Sequence, residues 1–271
     1  MTGSSRRKLA QLRKLSLGLC TWFALVLVAL PSGVEVGTAV VDTGAPGINH
    51  AFYINLQHRT DRREGVESAL RRAHVNFTRI EAVHGRRHSS LKQCWSGSGN
   101  HTCAGKIGVK FSHIHAIDMA MQYGYESAAI FEDDFGWLPH TDPALVLDTV
   151  RKLQSKFKNW QVIFLSANVQ QKKRTQPKLS VWLNDQTLAN AHTVVEAQGA
   201  HAYVVRRNYL AKLRESFATC DVTRKREIAI DQCWKPLQKG GNWFIYEPQL
   251  GTQVPSYSDI ELVNVNYGIG M

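Results

Sequence analysis

The sequence predicts an α/β fold in which helices flank a central sheet. Short apolar runs, such as residues 51–56 and 162–166, alternate along the chain with segments of helical periodicity, such as residues 108–123. Strands that alternate with helices are typical of sheets covered by helices on both faces. The 271 residues are 44% hydrophobic and 20% charged, a composition that indicates a globular protein rather than a disordered one.

The first five elements alternate between strand and helix. Asp61 and Glu64 have the spacing of a helix-capping pair after the first strand, and apolar residues follow them at helical spacing. Gly124 is expected to end the second helix. In chain order, these elements are a strand at 51–56, a helix from 61 to about 73, a strand at 77–83, a helix at 108–123 and a strand at 128–131.

The second half of the chain continues this pattern with one long interruption. Asp142 and Pro143 have the order of an N-cap followed by proline at the first helical position. Residues 172–191 are polar and are predicted to form an irregular exposed excursion, and such loops over a rigid scaffold tend to carry specificity. In chain order, the other elements are a helix at 142–158, a strand at 162–166, a strand at 199–205, a helix at 207–217 and a strand at 242–246.

Three consecutive acidic residues, Glu132, Asp133 and Asp134, follow the strand predicted at 128–131. Ligands of open α/β sheets bind beyond the carboxyl ends of the strands, where this triplet would lie. Because adjacent carboxylates repel each other, a cation is expected to hold them together. A hard divalent ion that also binds substrate phosphates suits such oxygen ligands, and Mn²⁺ and Mg²⁺ both fit. A solvated acidic turn is the alternative interpretation.

The first 33 residues differ in character from the rest of the chain. Residues 1–14 carry five basic side chains, and residues 15–30 form a run without charge. This order is typical of a segment that directs a chain to the endoplasmic reticulum. We expect residues 1–14 to form a cytoplasmic tail and 15–33 a signal anchor, followed by a stem at 34–50. Because the run is slightly short for a transmembrane helix, a cleaved signal peptide is the alternative.

The rest of the chain would then lie in the lumen of the endoplasmic reticulum or Golgi, as part of a single-pass type II membrane protein. Cleavage would instead give a luminal or secreted protein. Cysteine usage agrees with an oxidising compartment, because four cysteines form two sequence-close pairs, the preferred disulfides among three possible pairings. Two N-glycosylation sequons begin at Asn76 and Asn100. The cysteine pairs are Cys94 with Cys103 and Cys220 with Cys233.

The chain carries a net charge of +11. Five of its 33 basic residues lie in the first 14 positions, so the remainder has 28 basic and 22 acidic side chains. This mildly basic balance suits an anionic substrate such as a nucleotide. Because the chain has no long basic tract, no nucleic-acid partner is expected.

Seven short blocks of residues form an ordered series along the chain. They are Tyr53-Ile54-Asn55-Leu56 followed by Arg59, Asp61, Arg62 and Arg63; Ile80-Glu81-Ala82-Val83-His84-Gly85; Gly105-Lys106-Ile107-Gly108 with Ser112-His113; Glu132-Asp133-Asp134; Gly199-Ala200-His201-Ala202-Tyr203; Ile230-Asp231; and Pro248 with Gln253 and Ser258-Asp259. Their number and order resemble glycosyltransferase family 25, which includes bacterial lipopolysaccharide galactosyltransferases and procollagen galactosyltransferases. The resemblance spans residues 51–261. In one departure, Lys106 stands where the family often has an acid. In another, the chain has room for one such domain where the collagen enzymes carry two.

This resemblance implies a GT-A-like fold, a Rossmann-type sheet flanked by helices, in a single catalytic domain at residues 51–271. It also implies an inverting transfer of a hexose, first of all galactose from UDP-galactose, to a hydroxyl of a glycan or protein acceptor. A divalent ion, Mn²⁺ or Mg²⁺, would neutralise the charge that develops on the diphosphate leaving group. The alternatives are a catalytically silent relative that acts in binding or adhesion, and a nucleotide-sugar hydrolase.

The acidic residues of these blocks are the candidates for metal binding and catalysis. Asp133 and Asp134 are expected to bind the metal ion, and Glu132 to face the ribose or a basic neighbour. Inversion requires a base that deprotonates the acceptor hydroxyl. Asp231 is the first candidate for this base, with a helix N-cap as its alternative role. Asp259 is the second candidate, or a member of the metal and donor site.

Four other residues are expected to contact the donor: Asn55, Arg59, Arg62 and His113. Arginine forks match uridine or phosphate oxygens, whereas a solvated helix start is the alternative for both arginines. For His113, the alternative is a helix histidine with satisfied hydrogen bonds. Trp234 and Trp243 are expected either to stack on a sugar ring or to lie in the core.

Overall fold

A seven-stranded mixed sheet forms the centre of the molecule. The structure, a computed structural model, describes residues 47–94, 100–223, 228–258, 263–266 and 268. The strands are β1 (His50–Asn55), β2 (Phe77–Glu81), β3 (Ser127–Glu132), β4 (Phe135–Trp137), β5 (Val162–Arg174), β6 (Ser180–Trp182), β7 (Leu188–Arg206), β8 (Trp243–Glu247), β9 (Gly251–Gln253), β10 (Ser256–Tyr257) and β11 (Asn264–Val265).

The strand order in this sheet is β2-β1-β3-β7-β5-β8, with β6 paired to β7. β1 runs parallel to β2 and β3, and β5 runs parallel to β8. β7 runs antiparallel to β3, β5, β6 and β8. The carboxyl ends of β1, β2 and β3 therefore meet at one edge of the sheet, the place where ligands bind in such folds. Two small antiparallel sheets, β4 with β9 and β10 with β11, accompany the central one.

Helices cover both faces of the sheet. They are α1 (Thr60–Arg72), α2 (Asn100–Tyr123), α3 (Val146–Lys156), α4 (Arg207–Ala218), α5 (Ile230–Cys233) and α6 (Lys235–Gln238), with short 3₁₀ helices at Gly85–Arg87, Ser89–Gln93 and Pro143–Leu145. Side chains alternate along a strand, so Phe52 and Ile54 of β1 pack into the core shared with α2 and α4. Ala51 and Tyr53 pack into the core shared with α1 and α3.

The predicted fold class is confirmed, because the structure is a single α/β domain whose largely parallel sheet is flanked by helices. All six predicted strands and all four predicted helices are present. Short apolar runs located the strands because both faces of the sheet are covered, which leaves the central strands buried at nearly every position. Asp142 is an N-cap as expected, but of the short 3₁₀ helix Pro143–Leu145, since its side chain accepts a hydrogen bond from the Ala144 backbone N–H at 3.0 Å. The α-helix that follows, α3, begins only at Val146.

Two other helix starts also differ from the prediction. The helix expected at residues 108–123 begins at Asn100, two turns earlier, because its first turns contain glycine and polar residues that hide the helical pattern. The capping role of Asp61 was wrong, because Arg59 occupies the N-cap position of α1. The Asp61 carboxylate instead forms two hydrogen bonds with the Arg59 guanidinium, at 3.0 and 2.9 Å.

The prediction of an irregular excursion at residues 172–191 was also wrong. β5 continues to Arg174, β6 follows, and β7 begins at Leu188, so the segment is a β structure that extends the central sheet. Residues 170–174 are exposed, and register shifts interrupt their pairing with β7. The alternation between buried and exposed side chains that reveals a strand in a sequence is therefore missing here.

Both preferred disulfides are present. Cys94 is bonded to Cys103, with a Cα–Cα distance of 6.2 Å, and Cys220 is bonded to Cys233, with a Cα–Cα distance of 5.7 Å. The first ties the end of a 3₁₀ helix to the first turn of α2, and the second ties the loop after α4 to α5. Close spacing along the sequence is thus matched by close approach in space.

Several predictions concern residues outside the described part of the chain. The basic tail at 1–14, the anchor or signal peptide at 15–33 and most of the stem at 34–50 lie there, as does Asp259. Among the helices that the structure describes, none is long and apolar enough to cross a lipid bilayer.

Candidate active site

A cavity of about 280 Å³ opens at the carboxyl ends of β1, β2 and β3. Its walls come from the loops after these strands and from α2, and its floor includes Glu132, Asp133 and Asp134. Arg62 of α1, His113 of α2 and Gln253 of β9 also line it, as do Ser258 and Val265 near the C-terminus. The acidic triplet is therefore at the sheet edge where the sequence predicted it.

Two glycines allow the loop after β2 to pack directly on the start of α2. A Cβ atom on Gly85 would lie 1.7 Å from the Ala104 carbonyl oxygen. A Cβ atom on Gly108 would lie 2.6 Å from the Val83 carbonyl oxygen. Both distances are far below van der Waals contact, so only glycine fits at either position. This close packing forms one wall of the cavity and explains why both glycines belong to the ordered sequence blocks.

Glu132 is bound to a buried histidine–tyrosine pair. Its Oε1 atom lies 3.1 Å from His113 Nε2, and His113 Nδ1 lies 3.0 Å from the Tyr203 hydroxyl oxygen. An ionised carboxylate can only accept, so Nε2 carries the hydrogen, and in the neutral imidazole Nδ1 accepts a hydrogen bond from Tyr203. Burial acts to raise the pKa of Glu132, but the hydrogen bond from His113, together with other contacts that include the charge of Arg62, outweighs it, so this pKa is lowered.

Asp133 faces β1 and α1. Its Oδ2 atom accepts a hydrogen bond from Asn55 Nδ2 at 2.8 Å, and its Oδ1 atom accepts one from the Arg62 guanidinium at 2.9 Å. The parallel register explains the first contact, because β1 and β3 are neighbours and Ile54 lies opposite Glu132. Burial raises the pKa of Asp133, although the charge of Arg62 opposes this effect.

Asp134 is the acid of the triplet with an unpartnered oxygen in the described part of the chain. Its Oδ2 atom accepts a hydrogen bond from Gln253 Nε2 at 2.9 Å and lies 3.6 Å from Arg62. Its Oδ1 atom is buried and has no hydrogen-bond partner among the described residues. Burial raises the pKa of Asp134 to about 7, and the charge of Glu132 adds to this effect. A buried carboxylate oxygen without a partner needs a cation or a proton.

The residues present fit a divalent ion that the substrate helps to bind. In the described part of the chain, no three His, Cys, Asp or Glu side chains form a ready-made metal site. Mg²⁺-like ions are often held by one or two carboxylates together with substrate phosphates. The free oxygen of Asp134 and the neighbouring Asp133 carboxylate could provide such ligands.

Asp231 lies at the start of α5 and does not line the cavity. Its Oδ2 atom accepts a hydrogen bond from the Gly199 backbone N–H of β7 at 2.9 Å, and Ala229 rather than Asp231 is the N-cap of α5. Burial raises the pKa of Asp231, and the charge of Glu132 raises it further, so the two acids interact. A raised carboxyl pKa of this kind is typical of carboxylates at functional sites.

Four successive residues of β7 bind α5 and α6 and thereby position Asp231. The contacts are Glu196 with Lys235 at 2.9 Å, Ala197 with Gln238 at 2.7 and 2.9 Å, Gln198 with Gln232 at 2.7 Å, and Gly199 with Asp231 at 2.9 Å. Gly199 has a φ of +93°, which favours glycine. The two short helices are thus attached along the strand that also carries Tyr203.

Arg59 is placed differently from Arg62. It bonds Asp61 and the Tyr257 carbonyl oxygen, the latter at 3.3 Å, and it is not among the cavity-lining residues. Trp234 and Trp243 are fully buried in the core beneath the site. The core alternative therefore holds for both tryptophans, and sugar stacking by them was wrong.

Some residues at the site had no role assigned from the sequence. Ser112 donates a hydrogen bond to the Gly108 carbonyl at 2.7 Å and accepts one from the Val83 N–H at 2.8 Å, so it holds the two glycine segments together. Gln253 binds Asp134, and Tyr203 binds His113. All three residues belong to the ordered sequence blocks, so membership of these blocks could have indicated that they lie at the site.

A family model described as "Glycosyltransferase family 25 (LPS biosynthesis protein)" matches residues 48–234. The chain belongs to glycosyltransferase family 25. The matched region of this family 25 chain includes the acidic triplet, Arg62, His113 and Asp231, and it ends before Gln253. No curated protein gives a significant match to the sequence.

Several solved structures are similar to this family 25 chain at 12% sequence identity. A197 from STIV has a TM-score of 0.36, with 72% of this chain and 80% of that chain covered. A glycosyltransferase involved in the glycosylation of the major capsid of PBCV-1 has a TM-score of 0.38, with 80% and 96% covered. UDP-glucose pyrophosphorylase complexed with UDP-glucose has a TM-score of 0.41, with 76% and 92% covered. The family assignment rests on the family model alone.

Proposed function

We propose that this family 25 glycosyltransferase transfers a hexose from a nucleotide sugar to a hydroxyl group of a glycan or protein acceptor, with inversion. UDP-galactose is the donor we put first. The observation that carries the proposal is Asp134, a buried carboxylate with an unpartnered oxygen at the floor of the cavity. Membership of the family supplies the reaction class, and the cavity supplies a place for the donor.

The donor diphosphate is proposed to bind over Asp133 and Asp134 together with Mn²⁺ or Mg²⁺. When bound there, the divalent ion would act as a Lewis acid that neutralises negative charge on the departing diphosphate. Asn55 would hold Asp133 in place through its hydrogen bond at 2.8 Å. Arg62 lies close enough to both carboxylates to add a positive charge beside the phosphates.

Inversion requires an acceptor oxygen that attacks the anomeric carbon while it loses its proton to a base. Asp231 is our first candidate for this base, and Asp259 is the second. Burial raises the pKa of Asp231, which makes its carboxylate a better proton acceptor. The hydrogen bond from Gly199 occupies Oδ2, and Oδ1 has only a longer contact of 3.5 Å with Gln232 Nε2, so we propose Oδ1 as the atom that receives the proton.

The acceptor is proposed to approach along the extension formed by β5, β6 and β7. Glu196 to Gly199 of β7 hold the helix that carries Asp231, and the same strand continues into the exposed extension. Trp182 and Leu188 lie opposite each other there, 58% and 45% exposed. Exposed aromatic side chains are suited to stacking on sugar rings or peptide side chains.

We also propose that the enzyme works in the lumen of the endoplasmic reticulum or Golgi, anchored through its N-terminal segment. The two disulfides support this proposal, since disulfides persist in oxidising compartments. Membrane-fraction protein with an intact N-terminus would be the expected form, whereas a secreted protein lacking residues 1–30 would indicate a cleaved signal peptide instead.

A donor panel tests the proposed activity. The purified full-length protein is incubated with UDP-galactose, UDP-glucose and other UDP-sugars, with and without Mn²⁺, and UDP release is measured. We expect metal-dependent release for one donor and its loss in Asp134→Asn. The matched control is Asp148→Asn, since Asp148 is about half exposed on α3 and forms ion pairs with the surface residues Arg151 and Lys152.

The outcomes separate the candidate functions. Release that depends on an added acceptor supports transfer, whereas release without any acceptor supports a nucleotide-sugar hydrolase. Full activity in Asp134→Asn would contradict the metal assignment. Absence of both UDP binding and turnover for every donor would favour a binding or adhesion protein.

A further inference from the structure

We propose that Arg62 is a built-in counter-cation that opposes binding of a divalent ion at Asp133 and Asp134 until a nucleotide diphosphate is present. This inference rests on the proposed function, because it takes these two carboxylates as the metal ligands. It assigns to Arg62 a role in the order of binding, in addition to contact with the donor.

Arg62 is on the inward face of α1. It precedes Val66, Ala69 and Leu70 at helical spacing, and these three side chains are buried in the core. A basic residue on such a face is buried with them, and the Arg62 side chain is only 13% exposed. Asp133 and Asp134 are each 10% exposed. Charges at this depth are stable only when they are paired.

The guanidinium group lies directly beside both carboxylates. Its Nη1 atom lies 2.9 Å from Asp133 Oδ1 and 3.6 Å from Asp134 Oδ2. Its Nη2 atom donates to Ser256 Oγ at 2.6 Å and to the Tyr257 carbonyl oxygen at 2.7 Å. Backbone and side chain of β10 thus hold Arg62 against the two acids.

The pairing is incomplete in a specific way. Arg62 Nε and Asp134 Oδ1 are both buried, and neither has a hydrogen-bond partner in the described part of the chain. The cation therefore keeps one unused hydrogen-bond donor and the anion one unused acceptor, although the two groups belong to the same cluster. Such groups are expected where a ligand completes the site, here an anion for Nε and a cation for Oδ1.

Charge balance gives the order of binding. The Arg62 guanidinium lies within 3.6 Å of both carboxylates. A divalent ion that bound these carboxylates without an anion would therefore be close to the guanidinium charge and be repelled by it. A diphosphate brings at least two negative charges and can accept hydrogen bonds from Arg62. Arg62 therefore disfavours the ion alone and favours the ion together with the nucleotide.

A role limited to anchoring β10 is the competing explanation for the same contacts. It predicts that loss of Arg62 weakens metal binding or leaves it unchanged, because the loop that covers the site is loosened. The counter-cation role predicts the opposite sign for the metal ion in the absence of nucleotide. The two explanations also differ for lysine, which keeps the charge but loses the fork of two donors.

The test measures Mn²⁺ binding to the purified full-length protein by the loss of the free-ion EPR signal, with and without UDP. For Arg62→Met without UDP, we expect about tenfold tighter Mn²⁺ binding than for wild type, within the usual range of coupling between two sites. With UDP present, the difference should shrink or reverse, because the variant has lost a partner for the diphosphate. Arg72→Met, an exposed position on the same helix, is the control for general loss of charge and should bind like wild type.

Arg62→Lys should keep Mn²⁺ binding without UDP close to that of wild type, because the positive charge is retained. Equal or weaker Mn²⁺ binding by Arg62→Met would overturn the inference, and so would tightening by Arg62→Lys as large as that by Arg62→Met. If Arg62→Met folds only when Mn²⁺ is added, the ion has replaced the missing cation, which supports the inference. Failure of the proposed function gives a different result, namely no Mn²⁺ binding by wild type even with UDP.

Discussion

The hydrogen-bond chain from Tyr203 through His113 to Glu132 gives a prediction that separates stability from function. Replacement of Tyr203 by phenylalanine removes one hydroxyl from a fully buried side chain. His113 Nδ1 then loses its hydrogen-bond partner at 3.0 Å, while the ring packing of the tyrosine is kept. A buried polar atom left without a partner costs about 1–3 kcal/mol, so the free energy of unfolding should fall by about this amount.

Tyr246 provides a matched control. It is also fully buried, and its hydroxyl donates to the Thr149 carbonyl oxygen at 3.0 Å, on the opposite face of the sheet. Tyr246→Phe should therefore lower the free energy of unfolding by a similar amount, with no effect on the donor site. Denaturant unfolding of both variants and wild type measures this loss.

The two variants should differ in donor binding. Without the hydrogen bond from Tyr203, His113 can adopt the other tautomer or turn, so its bond to Glu132 is no longer fixed. A contact weakened by about 0.7–1.4 kcal/mol corresponds to about a three- to tenfold rise in the KM for the nucleotide sugar. An unchanged KM in Tyr203→Phe, at a loss of stability equal to that of Tyr246→Phe, would refute the positioning role of this chain.

Three further predictions follow from the packing, the disulfides and the burial of the acids. Gly85→Ala should lower the free energy of unfolding by about 3 kcal/mol or more and weaken UDP binding, because its Cβ atom would lie 1.7 Å from the Ala104 oxygen. Gly65 of α1 has open space around it, so Gly65→Ala should be neutral or stabilise the protein by up to about 1 kcal/mol. Thermal unfolding of both variants compares the two effects. Loss of the Cys220–Cys233 disulfide, in the double alanine variant, should cost about 3 kcal/mol in a denaturant titration, the value for a closed loop of this length; an unchanged transition midpoint would contradict it. The pKa of Asp134 is raised from 3.8 to about 7. Between about pH 4 and pH 7, the folded metal-free protein therefore holds a proton on Asp134 that the unfolded chain has released. The free energy of unfolding should accordingly fall as the pH rises through this range. That slope should flatten in Asp134→Asn, and Mn²⁺ binding by wild type should strengthen over the same rise in pH.

The central strands could be predicted from the sequence because their burial leaves a plain apolar signal. β1 is buried at all six positions, and the run before the triplet in β3 is equally apolar. The outer part of β5 could not be predicted in this way. Its residues are exposed on both faces and its register with β7 shifts several times, so neither apolar content nor alternation marks it as a strand.

The sequence predicted which residues belong to the candidate site, but it did not predict which of them contact each other. The triplet at the end of β3 was found because its position follows from the strand before it. That Asp133 faces Asn55 depends on the neighbouring register of β1 and β3, which is not visible in one sequence. Arg62 could be assigned to the site, but its direct pairing with the acids required the inward face of α1 and the position of β10.

The length of β7 has a consequence for how the family can diversify. One continuous strand carries Tyr203 beside the donor cavity, Gly199 beside Asp231, and the exposed start at Leu188. A single-residue insertion within 196–202 would turn every later side chain of the strand to the other face of the sheet, which would remove Tyr203 from His113. The turn between β6 and β7 is free of this constraint. In related chains, a longer turn or one with different residues is therefore expected to leave the hydrogen bonds of Tyr203 with His113 and of Gly199 with Asp231 in place.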